Sequence, residues 1–312
     1  MNRKHIGNVI LDLSFYKGED KYSDGSIEEE ILDSVKEFDN ENFDDLIKEH
    51  KSWPFLYHLS NIRTNIIEWL PIDKEKNILE IGSGCGAITG KLSEMAKSVT
   101  CIELSKKRSL INAYRNKNRS NIEILIGNFS DIEKEIDKKY DFIVLIGVLE
   151  YAESYIASQK PYEDFLKKIK THLTDNGCVI IAIENKFGLK YWAGCKEDHV
   201  DRYFEGIEGY SQSSGVKTFS KPELKKLFKE SGFHKYDFYY PYPDYKLPYV
   251  IYSDNYLPKK GELTKNIRNF NSDRLVTFDE NKVFDSIIES NLFSIFSNSY
   301  LIILQKDGEH NE

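Results

Sequence analysis

The spacing of hydrophobic positions along the chain changes period twice. Ile27, Ile31, Leu32, Val35 and Phe38 recur at helical intervals, which predicts an amphipathic helix over 26–38 with Ser26 as its N-cap. A second helix is predicted over 53–70, with Leu59, Ile62, Ile66, Ile67 and Leu70 on its apolar stripe and Pro71 ending it. From residue 77 the period shortens. Apolar runs at 77–81, 98–102, 122–126, 142–146 and 179–183 read as strands. Helical stretches at 87–96, 106–116 and 162–173 lie between them, the last closed by Asn176-Gly177. Short β-rich runs alternating with helices predict an α/β fold, with a doubly wound and mostly parallel sheet covered on both faces. After 183 the alternation stops. Residues 185–217 form an aromatic, charged insertion. Ser220-Lys-Pro-Glu223 then reads as a capping box opening a helix over 222–231, which Gly232 stops. Strands at 234–240 and 299–305 bring the expected count to seven, and 241–297 between them lacks clean periodicity.

Composition narrows the possibilities. The chain has 312 residues, 40% hydrophobic and 30% charged, enough for one sizeable core. A net charge of −8 disfavours a polyphosphate partner, so no nucleic-acid substrate is expected. No apolar run approaches the roughly 20 residues that span a bilayer, and no apolar segment follows the basic start of the chain. Neither membrane insertion nor a signal peptide is therefore expected. Cys85, Cys101, Cys178 and Cys195 are widely spaced, which argues against a disulfide framework or zinc site and for a reducing, cytoplasmic setting. No metal-ligand spacing is evident, so no metal is expected.

The candidate chemistry begins at Glu80-Ile-Gly-Ser-Gly-Cys-Gly86, between a predicted strand and a predicted helix. Gly82, Gly84 and Gly86 permit a tight turn and let a ligand approach the backbone, with Ser83 between them. Glu103 follows at the end of the next strand, where a carboxylate can accept from both ribose hydroxyls of an adenosine. Read through Ala87, the loop also fits a dinucleotide fingerprint. Glu80 separates the two cofactors. A carboxylate beside a diphosphate costs about 1–4 kcal/mol, whereas S-adenosylmethionine presents an ammonium and a sulfonium. An ordinary glycine turn with a solvated strand-end carboxylate is the remaining reading.

These segments resemble the class I, Rossmann-like methyltransferases that use S-adenosylmethionine. Glu80–Gly86 is similar to their first motif, and Glu103 and Leu104 in Cys101-Ile-Glu-Leu-Ser105 to their ribose-binding acid and its neighbour. Asn128 and Phe129 stand where the family embraces the adenine, although Asn replaces the usual Asp. Asp141-Phe-Ile-Val-Leu-Ile-Gly-Val-Leu-Glu-Tyr151, containing Gly147, is similar to the fourth-strand motif. The resemblance implies a C-terminal antiparallel hairpin, with residues 299–305 beside 234–240. It also implies a helical N-terminal cap over 1–72, a core over 73–240 and 298–307, and a hairpin insertion over 241–297 forming part of an acceptor-site lid. In this fold the helix before the first strand often closes over the cofactor, which makes Arg63 a candidate for the methionine carboxylate; a surface role is the alternative. A looser resemblance, over Ile183–Gly194, Glu197–His199, Gly206–Tyr210 and Tyr240–Pro248, is to bacterial methyltransferases found with glycosyltransferases in surface-glycan systems.

Methyl transfer is an in-line displacement, so the protein must align a nucleophile, exclude water and, for an oxygen acceptor, remove a proton. Ligands of open α/β sheets sit beyond the carboxyl ends of the strands. That places Glu150 and Tyr151 after the fourth strand and Glu184 and Asn185 after the fifth among the candidates. His199 is the candidate base, with a surface histidine as the alternative. Tyr210, Tyr240 and Tyr242 offer aromatic faces suited to a sugar or nucleobase, or else belong to a rigid cap. The expected activity is methyl transfer to an oxygen or nitrogen of a small-molecule, nucleotide-activated or glycan-linked acceptor. A homodimer or an association with a glycosyltransferase is compatible with it. The alternatives are an NAD-dependent oxidoreductase of nucleotide sugars and a non-catalytic adenosyl-binding partner of a glycosyltransferase.

Overall fold

The chain begins with a hairpin rather than a helix. In the computed structural model, which describes residues 2–20, 25–37, 43–212, 215–266 and 274–306, β1 (Arg3–Ile6) and β2 (Val9–Asp12) pair antiparallel with Ile6 opposite Val9. Gly7 makes the turn at φ +55, with its missing Cβ directed at the Lys117 carbonyl. Val9 and Leu11 are buried, and β2 adds in parallel to a core strand, Ile10 opposite Glu123. The expected seven strands are therefore corrected to ten among the described residues. Two of the extra strands come from this hairpin, whose Gly-Asn turn between alternating residues was a legible signal. The third, β9, lies in the 241–297 segment.

The chain forms two compact units, Met1–Leu145 with Thr171–Cys178, and Ile146–Lys170 with Val179–Glu312. In the first, β3 (Asn77–Ile81), β4 (Ser98–Glu103), β5 (Ile122–Ile126) and most of β6 (Tyr140–Ile146) join the hairpin in the order β1-β2-β5-β4-β3-β6. All pairs from β2 to β6 are parallel. The order reverses between β3 and β6, the switch point beside which open α/β sheets bind ligands. The predicted helix over 26–38 is present as Ile27–Glu37, with Phe38 outside the described residues. Its Ile31, Leu32 and Val35 pack with Phe55, Leu59, Ile111 and Cys85 in one apolar cluster. Glu28, fully buried, is held by Arg108 at 2.6 Å. The helix expected over 53–70 is divided. It runs Trp53–Leu59, Ser60 turns extended and accepts the Ile62 amide, and a tighter 3₁₀ turn covers Asn61–Ile66. A serine side chain competing for backbone amides gives the physical reason.

The second unit orders its strands β7-β10-β8-β9, with β7 belonging to it from Val179 onward. Helix Pro161–Thr171 leads into β7 (Leu173–Glu184), so Asn176-Gly177 lies inside a strand instead of ending the helix. β8 (Lys235–Tyr242) pairs antiparallel with β10 (Ser299–Gln305), Tyr239 opposite Leu301, which is the expected C-terminal hairpin. β9 (Val250–Ser253) continues from β8 with Tyr240 opposite Tyr252. Ser220 donates its amide and hydroxyl to Glu223 at the start of helix Lys221–Glu230, as the capping box predicts. All four cysteines are free thiols. Among the described residues no helix is long and apolar enough to cross a membrane.

Candidate active site

The glycine loop leaves β3 with left-handed turns that only glycine adopts readily. Gly84 has φ +53 and an ideal Cβ there would meet open space, whereas Gly86, at φ +75, lies against the Asn112 side chain. One glycine therefore faces outward and the other seats the loop on helix Lys106–Arg115. Glu103 fastens the arrangement from the end of β4. Its Oε2 accepts the Gly84 amide at 2.8 Å and its Oε1 the Ser105 amide at 2.9 Å. Burial raises the Glu103 pKa, and these amides and Arg108 oppose the rise. Each carboxylate oxygen keeps a further lone pair, so two ribose hydroxyls can still be received.

Glu80 is buried under the same loop. It accepts from Thr89 Oγ1 at 2.7 Å and from the Cys101 thiol at 3.5 Å. Burial pushes its pKa up to about 7, Thr89 and Cys101 pull it down, and the charge of Glu103 adds to the rise. A carboxyl so placed, with hydroxyl and thiol neighbours, suits the ammonium of an amino-acid ligand. Arg63 is buried as well; it stacks 4.0 Å above Tyr57 and donates to the Tyr57 carbonyl at 3.2 Å. Its charge reaches Glu80 electrostatically. Asn128 caps helix Phe129–Ile132 by accepting the Ser130 amide at 2.9 Å, and the Phe129 ring is buried. Ser83 is buried and Leu104 partly so.

A second cluster occupies the other unit, beyond the ends of β6 and β7. Gly147, at φ +71, follows β6, and a Cβ there would meet the Tyr245 hydroxyl at 2.8 Å and Glu150 Oε1 at 3.5 Å. Glu150 and Glu184 are both fully buried. His199 stands between two partners: Nδ1 is 2.8 Å from the Tyr151 hydroxyl and Nε2 is 3.3 Å from Glu184 Oε2. The second Glu184 oxygen accepts from Lys246, which also binds Asp198 at 2.7 Å. Among the described residues neither oxygen of Glu150 has a hydrogen-bond partner. Burial and the charge of Glu184 push Glu150 up to about 8. Burial resists the ionisation of Glu184, but Lys246 and His199 overcome it and hold the group well below the usual carboxylate range. Burial likewise resists the protonation of His199, yet Glu184 dominates and raises it to about 9.

The profile of a family described as "Methyltransferase domain" matches residues 56–236, more than half of the chain. The chain belongs to this family. It carries a class I methyltransferase domain whose cofactor is S-adenosylmethionine, and the dinucleotide reading of the glycine loop is set aside. Ribosomal RNA small subunit methyltransferase A of Malacoplasma penetrans (strain HF-2) is 28% identical over 142 residues, covering 40% of this chain and 52% of that protein. The protein of the same name from Fusobacterium nucleatum subsp. nucleatum is 44% identical over 63 residues, 20% of this chain and 23% of its own. The methyltransferase chain thus spans about half or less of the length of these curated relatives. Among solved structures, Haemonchus contortus phosphoethanolamine N-methyltransferase 1, in complex with phosphoethanolamine and S-adenosylhomocysteine, gives a TM-score of 0.50 at 15% identity, over 91% of this chain and 51% of that one. A chain from the complex of the Haloferax volcanii Trm112 methyltransferase activator with a methyltransferase gives 0.50 at 13% identity, over 87% and 98%. These two likenesses speak to the fold.

In the methyltransferase domain, Glu80, the glycine loop and Glu103 come together in the first unit. Glu150, Tyr151, Glu184 and His199 come together in the second. The remaining acceptor candidates are committed to the fold. Asn185 Nδ2 donates to the Ile295 and Ser297 carbonyls while its Oδ1 accepts the Phe187 amide. The Tyr210 hydroxyl binds Glu197 and Thr218, that of Tyr240 binds Asp254, and that of Tyr242 accepts the Lys265 amide. Sequence reasoning missed Lys246, Asp198, Lys190 and Asp244. Lys190 bridges Asp198 at 2.8 Å and Asp244 at 2.7 Å, so four charges hold the loops around His199. No periodic signal marks them, because their partners lie on separate loops. Tyr245, beside Gly147, was visible only as one of a run of tyrosines.

Proposed function

We propose that the domain transfers the methyl group of S-adenosylmethionine to an oxygen or nitrogen of a small-molecule, nucleotide-activated or glycan-linked acceptor. The observation that carries the reading is Glu150, a fully buried carboxyl with two unpaired oxygens, in a cluster with Glu184, His199 and Tyr151. An unpaired buried carboxyl is costly unless a ligand donates to it, and an acceptor hydroxyl or amine supplies that donor. Bound S-adenosylmethionine supplies a methyl on a positively charged sulfur. Glu103 would hold the ribose, Glu80 the ammonium and Asn128 the adenine edge. Arg63, Ser83, Leu104, Phe129 and Gly147 would shape the surroundings. In the second unit Glu150 would orient the acceptor, and His199 would take its proton through Tyr151 in the neutral form that Glu184 confines to pH near 9 and above.

The net charge of −8 favours a neutral or cationic acceptor over a polyanion. The resemblance within residues 183–248 supports a glycan-modification setting in a reducing cytoplasm. The test incubates the protein and labelled S-adenosylmethionine with nucleotide sugars and glycan acceptors in parallel with small-subunit ribosomal RNA. Label is expected in the glycan or nucleotide-sugar fraction; label confined to RNA would overturn the reading. Tyr151→Phe should lower kcat at least tenfold while leaving the dissociation constant of S-adenosylhomocysteine unchanged. Full activity in that variant would remove the proton route.

A further inference from the structure

We propose that Glu150, Glu184 and His199 bind a divalent transition-metal cation. One ligand atom from each of the three lies within 4.8 Å of the others. Three ligand atoms around one ion with bonds of about 2.1 Å lie roughly 3.0–3.4 Å apart, so closing the site takes on the order of 1.5 Å. Side-chain rotations of Glu150 and Glu184 would have to supply that movement.

Three independent features point to a cation at this place. Both oxygens of Glu150 are buried and lack hydrogen-bond partners, so a ligand pair is already desolvated and aimed at nothing else. His199 presents Nε2 toward Glu184 while Nδ1 meets the Tyr151 hydroxyl. A hydrogen bond at one ring nitrogen that fixes the tautomer and leaves the other for the ion is the usual arrangement around metal-bound histidines. Glu184 divides its oxygens, Oε1 to Lys246 and Oε2 toward His199, so one remains for the ion while Lys246 steadies the group. Two carboxylates with one imidazole form a mixed donor set that suits Mn²⁺, Fe²⁺ or Zn²⁺ better than an all-oxygen ion.

The position is reached through sequence-distant residues: Glu150 after β6, Glu184 at the end of β7, and His199 in the loop beyond. That separation explains why no ligand spacing is visible along the chain. An ion at this point would polarise an acceptor oxygen in place of the proton route through His199. The binding itself is independent of the proposed reaction, because it can be measured without acceptor or cofactor.

The experiment titrates Mn²⁺ into chelator-treated full-length protein, followed by calorimetry and electron paramagnetic resonance. One ion per chain is expected, with nitrogen hyperfine coupling from a single imidazole. Glu150→Gln should weaken binding at least tenfold, and this variant, which removes an unpaired buried carboxyl at constant shape, should fold. His199→Gln should abolish the nitrogen coupling. No saturable Mn²⁺ binding up to millimolar concentration, or binding and coupling unchanged in both variants, would overturn the site. No saturable Mn²⁺ binding in a protein that still transfers methyl to a glycan acceptor would leave the proposed reaction standing while removing the ion.

Discussion

Replacing Glu80 by Gln tests the cofactor end of the domain through its pH dependence. Burial raises this carboxyl from 4.5 to about 7, against the hydrogen bonds from Thr89 and Cys101 and the charge of Arg63, and with the charge of Glu103. A group whose folded pKa lies above its unfolded value favours folding below the unfolded pKa. That contribution fades as pH rises through the folded pKa. Glu80 should therefore cost stability progressively between about pH 5 and pH 8. At about 1.4 kcal/mol for each tenfold step, the gap sets a ceiling of about 3 kcal/mol. Gln keeps an oxygen to accept from Thr89 and cannot ionise. In Glu80→Gln, urea unfolding should match the wild type near pH 5 and exceed it by about 2–3 kcal/mol near pH 8. The ligand should reverse the order. An ammonium beside Glu80 favours its ionised form, so wild-type affinity for S-adenosylhomocysteine should tighten as pH rises through 7. The variant should bind at least tenfold more weakly at pH 8 and show little pH dependence. Parallel stability curves for the two proteins from pH 5 to 8 would refute the burial argument. Parallel affinity curves would refute the ammonium assignment.

Three further substitutions probe other parts of the reasoning. Glu103→Ala strips the Gly84 and Ser105 amides of their acceptor, and calorimetry should show at least a tenfold loss of S-adenosylhomocysteine affinity. Gly86→Ala forces a left-handed backbone at φ +75 and drives a Cβ into Asn112 Oδ1, so it should destabilise by about 2–4 kcal/mol in denaturant unfolding. Glu28→Gln breaks the buried pair with Arg108 and should cost about 3–5 kcal/mol by the same measurement. A loss under 1 kcal/mol there would show that Arg108 finds another partner.

The local pattern determined the elements that it could determine. The alternation of short apolar runs and helical stretches carried the parallel core, because a strand buried on both faces must be apolar throughout its length. The spacing from Glu80 through the glycines to Glu103 carried the glycine loop and the carboxylate that fastens it, because both are set by consecutive β-turn-α units. Where a side chain competed with the backbone, the pattern failed. Ser60 divided a helix that looks continuous in its apolar stripe, and the Gly7-Asn8 turn made a hairpin where only a cap was expected. Strand ends and the loop beyond them named Glu150, Tyr151, Glu184 and His199 singly, but the pattern could not bring them together. Glu150, Glu184, His199, Lys246 and Asp198 come from four segments, and the shifts of Glu150, Glu184 and His199 come from burial and from charges distant in the chain more than from near neighbours. Sequence could name Glu150 as a strand-end carboxylate, but only tertiary structure left both its oxygens buried and unpaired, because desolvation depends on how distant loops close over a residue.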